Sequence, residues 1–185
     1  MLSGKLTRIR PLELQDLDLF YEWYNDYEFS YWVCGNWPLA TFLRRDVIEQ
    51  RMFEEDEHRY TILDAQDQTI GTIGFDQVNL TARSARIFIG IGVKEYWGKG
   101  YGSEALSLFI NYLFRQWNFR RLTAETWQNN TRALSCYQKL GFKIEGNMRE
   151  AYYIDGNYYD ALVLGLLKPD FTGWSLNSRQ IGNKS

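Results

Sequence analysis

A chain of 185 residues with 45% hydrophobic and 17% aromatic content is long enough for one domain with a real core and too apolar for a disordered segment. Its 21 basic and 23 acidic residues leave a net charge of −2, which argues against nucleic acid as a partner, because phosphate recognition demands a basic patch. Arg83/Arg86 and Arg120/Arg121 read as solvated surface. Cys34 and Cys136 form no C-x-x-C pair, no apolar signal-peptide core follows Met1, and no apolar stretch is long enough for a membrane span. These features predict a reduced, cytoplasmic setting without a membrane partner.

In chain order, Leu6–Arg10 alternates and reads as a strand stopped by Pro11. A helix follows from Leu12, with Leu14, Leu17, Phe20, Tyr21 and Tyr24 three or four apart, and Asn25-Asp26 ends it. Tyr27–Pro38 is aromatic and irregular. A second amphipathic helix is expected from Thr41 to about Phe53, closing in the acidic run Glu54–Glu57. Arg59–Leu63 and Thr69–Phe75, joined by a polar turn, read as a hairpin. Ala85–Val93 is the next strand, with Ile87, Ile89, Ile91 and Val93 on one face. Gly90 and Gly92 leave the other face bare, open either to a ligand or to close packing.

That strand runs into Gly98-Lys99-Gly100-Tyr101-Gly102-Ser103. Convergent backbone amides followed directly by a helix make a phosphate site. The helix carries Leu106, Phe109, Ile110, Leu113 and Trp117 on one face. Arg121–Thr126 is another strand, and Asn130-Thr131 caps a short helix with Gly141 at its C′ position. Phe142–Glu150 and Tyr158–Leu167 read as paired strands across Asp155-Gly156. Pro169 ends the fold, leaving a single domain over 1–170 and a polar tail over 171–185.

Two phosphate motifs fail on spacing. A P-loop, G-x-x-x-x-G-K-S/T, would need Gly92 and Gly98 one residue closer, and Gly100 stands where a hydroxyl should. The dinucleotide pattern G-x-G-x-x-G meets Ser103 or Glu95 at its third glycine. The run Trp97-Gly98-Lys99-Gly100-Tyr101-Gly102 instead resembles the pyrophosphate loop of GNAT N-acetyltransferases, usually written Q/R-x-x-G-x-G/A, with Trp97 departing from its first residue. Downstream, Asn130-x-x-Ala133-x-x-x-Tyr137-x-Lys139-x-Gly141-Phe142 resembles the helix that carries the catalytic tyrosine in that superfamily. The likeness runs from Arg8 to Pro169 and is nearest to the RimJ/RimL-like branch and to spermidine N-acetyltransferases.

The resemblance implies an α+β fold: a mixed, mostly antiparallel sheet of about seven strands with about four helices, splayed between the fourth and fifth strands. It implies acetyl-CoA as acyl donor, bound by Ile91, Gly92, Val93, Gly98, Lys99, Gly100, Tyr101, Gly102, Ser103 and Asn130, and Tyr137 as the acid that protonates the departing thiolate. An amide near Ile91 or Val93 would polarise the thioester carbonyl. The general base stays open among Glu125, Asp76, Glu28 and a water chain. His58, the single histidine, reads as surface, and no metal site is expected.

The acceptor should be a primary amine. Tyr31-Trp32 and the C-terminal hairpin resemble spermidine acetyltransferases, a resemblance that implies a polyamine, although Cys34-Gly35-Asn36 replaces the carboxylates it leads one to expect there, leaving Glu22, Asp26, Glu28 or Glu54–Glu57 to face a polycation. A protein N-terminus, as in ribosomal-protein enzymes, and amino sugars or aminoglycosides are the alternatives; Ala133 instead of serine favours a small amine. A non-catalytic acyl-CoA sensor and a nucleotide-binding protein are the rival classes. The aromatics of Tyr21–Trp37 can line either an acceptor pocket or the interface of a homo-oligomer.

Overall fold

The computed structural model describes residues 1–33, 44–154 and 156–173. Its strands are β1 (Leu2–Ser3), β2 (Arg8–Pro11), β3 (His58–Leu63), β4 (Thr69–Asn79), β5 (Ser84–Ile91), β6 (Arg121–Trp127), β7 (Lys143–Ile154) and β8 (Asn157–Leu167). Among the described residues five α-helices accompany them: α1 (Leu17–Tyr24), α2 (Tyr27–Val33), α3 (Arg45–Met52), α4 (Tyr101–Arg115) and α5 (Thr131–Lys139). The strands form one sheet in the order β1-β2-β3-β4-β5-β6-β8-β7, antiparallel everywhere except between β5 and β6. This is the expected α+β architecture, with the two-residue β1 as an eighth strand and α2 as a further helix.

Alternation along β5 sorts its two faces. Ile87, Ile89 and Ile91 face the main core, where α4 buries Leu106, Phe109, Ile110 and Leu113. Phe20, Trp23, Phe29, Ile48 and Met52 form a second cluster beneath α1–α3. The even positions of β5 meet this second layer: a Cβ on Gly90 would stand 3.1 Å from Phe29 and 3.2 Å from Val33, and one on Gly92 only 2.0 Å from Trp23. At Gly92 the bare face is therefore filled by helix packing, one of the two expected alternatives, whereas Gly90 also lines the cleft between β5 and β6.

Pairing between β5 and β6 covers only Ser84↔Arg121, Ala85↔Leu122 and Arg86↔Thr123. Beyond that point the two strands diverge, while β4 stays paired with β5 as far as Gly71↔Ile91. The amides of Gly92 and Val93 both donate to the Ile70 carbonyl (2.9 and 3.3 Å), as in a bulge. With residue 92 bonded to β4, strand alternation turns the N–H and C=O groups of Ile89 and Ile91 toward the gap.

Helix ends explain where element boundaries differ from the expected ones. Gly100, at φ +93°, is the N-cap of α4, so this helix opens inside the glycine loop and ends before Trp117. Asp26 accepts the Phe29 amide at 2.8 Å; it caps the start of α2 as well as following the end of α1. Gly141, at φ +99°, closes α5, and a Cβ there would lie 2.1 Å from the Asp170 carbonyl. His58 is half-buried, stacked 4.4 Å from Phe75 and 5.0 Å from Trp117, a packing position and not a surface one. The expectations for Cys34–Pro38, Thr41–Leu43, Asp155 and the tail from Trp174 lie outside the described residues.

Two carboxylates pin the N-terminal strands. Asp16 is 2% exposed and takes both guanidinium nitrogens of Arg10 (2.7 and 2.8 Å), the Thr61 hydroxyl (2.8 Å) and the Glu13 amide (3.0 Å). Burial works to raise the Asp16 carboxyl, but these bonds outweigh it and hold it below its ordinary value. Glu104, in the first turn of α4, accepts the amides of Lys5, Leu6 and Thr7 and the Thr7 hydroxyl at 2.8–2.9 Å. The first turn of that helix is thus tied to the chain's beginning.

Candidate active site

The glycine loop is built to leave donors without acceptors. A 3₁₀ turn over Lys94–Tyr96 satisfies the Trp97 amide on the Lys94 carbonyl and the Lys99 amide on the Tyr96 carbonyl. Gly98 and Gly100 then take positive φ, +72° and +93°, a region L side chains avoid. Among the described residues, the amides of Gly98, Gly100, Tyr101, Gly102 and Ser103 have no acceptor. A Cβ on Gly98 would meet nothing within 4 Å, so this cradle stands open. Five free donors at the head of a fifteen-residue helix suit a diphosphate in charge and in hydrogen bonding.

The cradle opens into a cleft of about 490 Å³ between the diverging β5 and β6. Ile91, Gly98, Gly100, Gly102, Ser103, Asn130 and Tyr137 line it together, so two segments about thirty residues apart in sequence meet at one site. Four expected contributors are not among its lining residues, although the Tyr101 amide stays free in the cradle beside it. Gly92 lies against Trp23 and the Val93 amide is spent on Ile70. Lys99 and Tyr101 line a separate hollow with Val93, Glu95 and Tyr96. Of the two amides weighed for the thioester carbonyl, Ile91's is the one directed into the gap.

Tyr137 is 4% exposed and packs edge-on to Phe142 at 5.2 Å. Burial, with Cys136 adjacent, pushes its phenol well above the ordinary tyrosine value, so it keeps its proton at physiological pH. Its hydroxyl is not among the sealed, unpartnered polar atoms and Tyr137 lines the cleft, which leaves that proton available to a bound ligand. Beside it, the Cys136 sulfur lies 3.1 Å from the Ser103 hydroxyl, joining α5 to α4. Burial raises the Cys136 thiol despite that contact, so it stays protonated and weakly nucleophilic.

Asn130 caps α5 by accepting the Ala133 amide at 3.2 Å, while its Nδ2 donates to the Trp32 carbonyl at 2.8 Å. The base candidates separate clearly. Asp76 is held by two guanidinium nitrogens of Arg86 at 2.6–2.8 Å, and Glu28 pairs with Lys94 at 3.2 Å. Glu125 is the one carboxylate among the described cleft-lining residues, and it accepts the Tyr152 hydroxyl at 2.8 Å. Next to it lies an aromatic group, with Trp127 stacked on Trp32 at 5.5 Å and edge-on to Tyr31 and Tyr159.

Sequence reasoning missed Arg132, and with it the place of Trp32 beside the glycine loop. Arg132 lies over the Trp97 ring at 4.4 Å and the Trp32 ring at 4.8 Å, and all three line the cleft. Its signal is helical spacing: Arg132, Cys136 and Lys139 follow i, i+4, i+7 and sit on the cleft side of α5. Trp97 is anchored as well, its Nε1 donating to the Ile91 carbonyl at 2.7 Å.

Residues 7–143 match the family model described as an acetyltransferase (GNAT) domain. Probable N-acetyltransferase YjcK of Bacillus subtilis is 31% identical over 92% of this chain and 98% of its own length. Spermidine N(1)-acetyltransferase of Escherichia coli K12 is 28% identical, covering 92% of this chain and 91% of that protein. The crystal structure of spermidine N-acetyltransferase from Vibrio cholerae in complex with CoA and spermine superposes with a TM-score of 0.79 at 25% identity, over 90% of this chain and 98% of that one. An amide cradle at the head of α4, a cleft where β5 leaves β6 and a buried tyrosine on α5 thus occur in a chain that belongs to the GNAT acetyltransferase family, and it is an acetyl-CoA-dependent N-acetyltransferase.

Proposed function

We propose that the acetyl acceptor is a small polycationic amine of the polyamine type, and that Tyr137 is the acid of the reaction. The observation that supports the acid is the Tyr137 phenol, buried, held protonated and opening on the same cleft as the free loop amides. The acceptor class rests on the full-length likeness to proteins named for spermidine and on Glu125, whose carboxylate lines the cleft.

In this reading the amides of Gly98 and of Gly100 to Ser103 hold the diphosphate, and the Ile91 edge of β5 pairs with the pantetheine arm as an added strand. Asn130 contributes after exchanging its Trp32 bond. The neutral amine adds to the thioester carbonyl, forming the C–N bond, and the C–S bond breaks as the tetrahedral intermediate collapses. One proton leaves the amine toward Glu125, directly or through water, and the Tyr137 proton goes to the departing thiolate. The Ile91 amide stabilises negative charge on the carbonyl oxygen between those events.

The test is CoA release from acetyl-CoA over spermidine, spermine, an aminoglycoside and a peptide N-terminus. Spermidine or spermine should be turned over best. Tyr137→Phe should lower kcat about 100-fold without weakening CoA binding. Turnover confined to the peptide or the aminoglycoside would overturn the acceptor class. CoA binding without turnover of any amine would turn the reading to a sensor.

A further inference from the structure

Arg132 has an unusual setting for a surface cation. Its guanidinium lies over two indole rings, Trp97 of the glycine loop (4.4 Å) and Trp32 of α2 (4.8 Å). A cation held over a ring keeps its N–H donors for other partners, and among the described residues no acceptor holds the five of Arg132. Arginines elsewhere on the chain spend those donors on carboxylates: Arg10 on Asp16, Arg59 on Glu57, Arg86 on Asp76. Among the described residues, Arg132 has no carboxylate within ion-pair distance, and its guanidinium rests on the two rings.

Both rings are themselves fixed, which fixes the cation. Trp97 is tied through its Nε1 to the Ile91 carbonyl, and the Trp32 ring is stacked on Trp127 at 5.5 Å with Tyr31 edge-on at 4.9 Å. Arg132 therefore reaches the cleft as a pre-oriented fork of donors, and it lines that cleft together with Gly98, Gly100 and Ser103. A planar, fixed, positively charged fork beside amides that lack acceptors matches phosphate oxygens in charge and geometry.

Resting on the acetyltransferase reading, we propose that Arg132 is a specificity-determining residue that grips a phosphate of the acyl donor, with Trp97 and Trp32 acting as the platform that aims it. The stack fixes the donors in space before the ligand arrives, so little side-chain freedom is lost on binding.

Calorimetric titration of the full chain with CoA, dephospho-CoA and S-acetylpantetheine tests this. Arg132→Met keeps the stem and removes the fork. It should weaken CoA about tenfold, the equivalent of one charge-assisted pair, and leave S-acetylpantetheine, which has no phosphate, unchanged. The same loss with dephospho-CoA places the contact at the diphosphate; a loss seen with CoA alone places it at the 3′-phosphate. Arg132→Lys should recover part of the affinity, and the kinetic loss should fall on KM for acetyl-CoA, leaving KM for the amine in place. Equal CoA affinity in wild type and Arg132→Met would overturn the proposal, as would an equal loss with S-acetylpantetheine, which would mean a structural role. A wild-type chain that binds no CoA would overturn the acetyltransferase reading and, with it, this inference; the two failures are separate observations.

Discussion

Replacing Gly92 by alanine decides whether the bare face of β5 serves packing or a ligand. The new Cβ would sit 2.0 Å from Trp23 Cδ2 and 2.2 Å from its Cε2, so one of the two must retreat by more than an ångström. Neither is free to. The Gly92 amide is fixed to the Ile70 carbonyl at 2.9 Å, and the Trp23 ring is hemmed by Phe20 at 5.4 Å and Phe29 at 6.2 Å. Overpacking of this kind costs about 2–3 kcal/mol, against which the lower entropy of an unfolded alanine returns less than about 1. The net loss of about 2 kcal/mol should lower the thermal midpoint by about 4–8 °C in a domain of this size. Gly90→Ala is the internal control, because its Cβ meets Phe29 and Val33 at 3.1–3.3 Å, a contact a small shift relieves. Circular dichroism melts and urea titrations supply the numbers. Trp23→Leu should accommodate the extra methyl, making the double substitution less destabilising than the sum of the singles. A Gly92→Ala chain of unchanged stability that no longer binds CoA would refute the packing argument.

Two further outcomes follow from local chemistry. Gly98→Ala and Gly100→Ala place a side chain at positive φ, costing about 1–2 kcal/mol each. Because a Cβ would meet nothing within 4 Å at Gly98 and only an ordinary contact with Leu6 at 3.7 Å at Gly100, the larger effect should be a several-fold rise in KM for acetyl-CoA, read by steady-state kinetics. Asp16→Asn should cost about 3 kcal/mol at neutral pH by leaving Arg10 only the exposed Glu13 carboxylate at 3.9 Å. A carboxyl held below its unfolded value stabilises above that value and loses the contribution as pH falls through its folded one. The gap in urea midpoint between wild type and Asp16→Asn should therefore narrow below about pH 4.

The parts of the fold with a strong period are legible in the amino-acid sequence itself. The Ile87–Ile91 alternation, the apolar face of α4 and the Asn130/Gly141 caps of α5 all appear where local chemistry puts them. The α2 helix is not legible, because Tyr27–Val33 is rich in aromatic and β-branched residues of modest helix propensity. What forms it is burial of Phe29 and the Asp26 cap, whereas the local pattern around Asp26 signals only the end of the preceding helix. The glycine loop and Tyr137 are legible from motif spacing. The division of labour around them is not. Whether Gly92 is bare for Trp23 or for a ligand, and that Arg132 lies over Trp97, depend on contacts across 69 and 35 positions of sequence, which no local pattern reports.

The short β5–β6 pairing has a consequence for how the molecule is held together. Strands β1 to β5 form a meander in which every neighbour in space is a neighbour in sequence, and β6 to β8 form a second sheet fragment with its own pairings. The two fragments share only three residue pairs, bridged over one face by the α4 crossover and its core contacts. The molecule is thus two locally assembled halves joined by a narrow seam, and the seam is where pairing depends most on distant residues. A ligand lying along β5 would supply hydrogen bonds that the chain omits there. Substrate occupancy and cohesion between the halves would then be one quantity, so the domain would be most tightly joined while it holds its substrate.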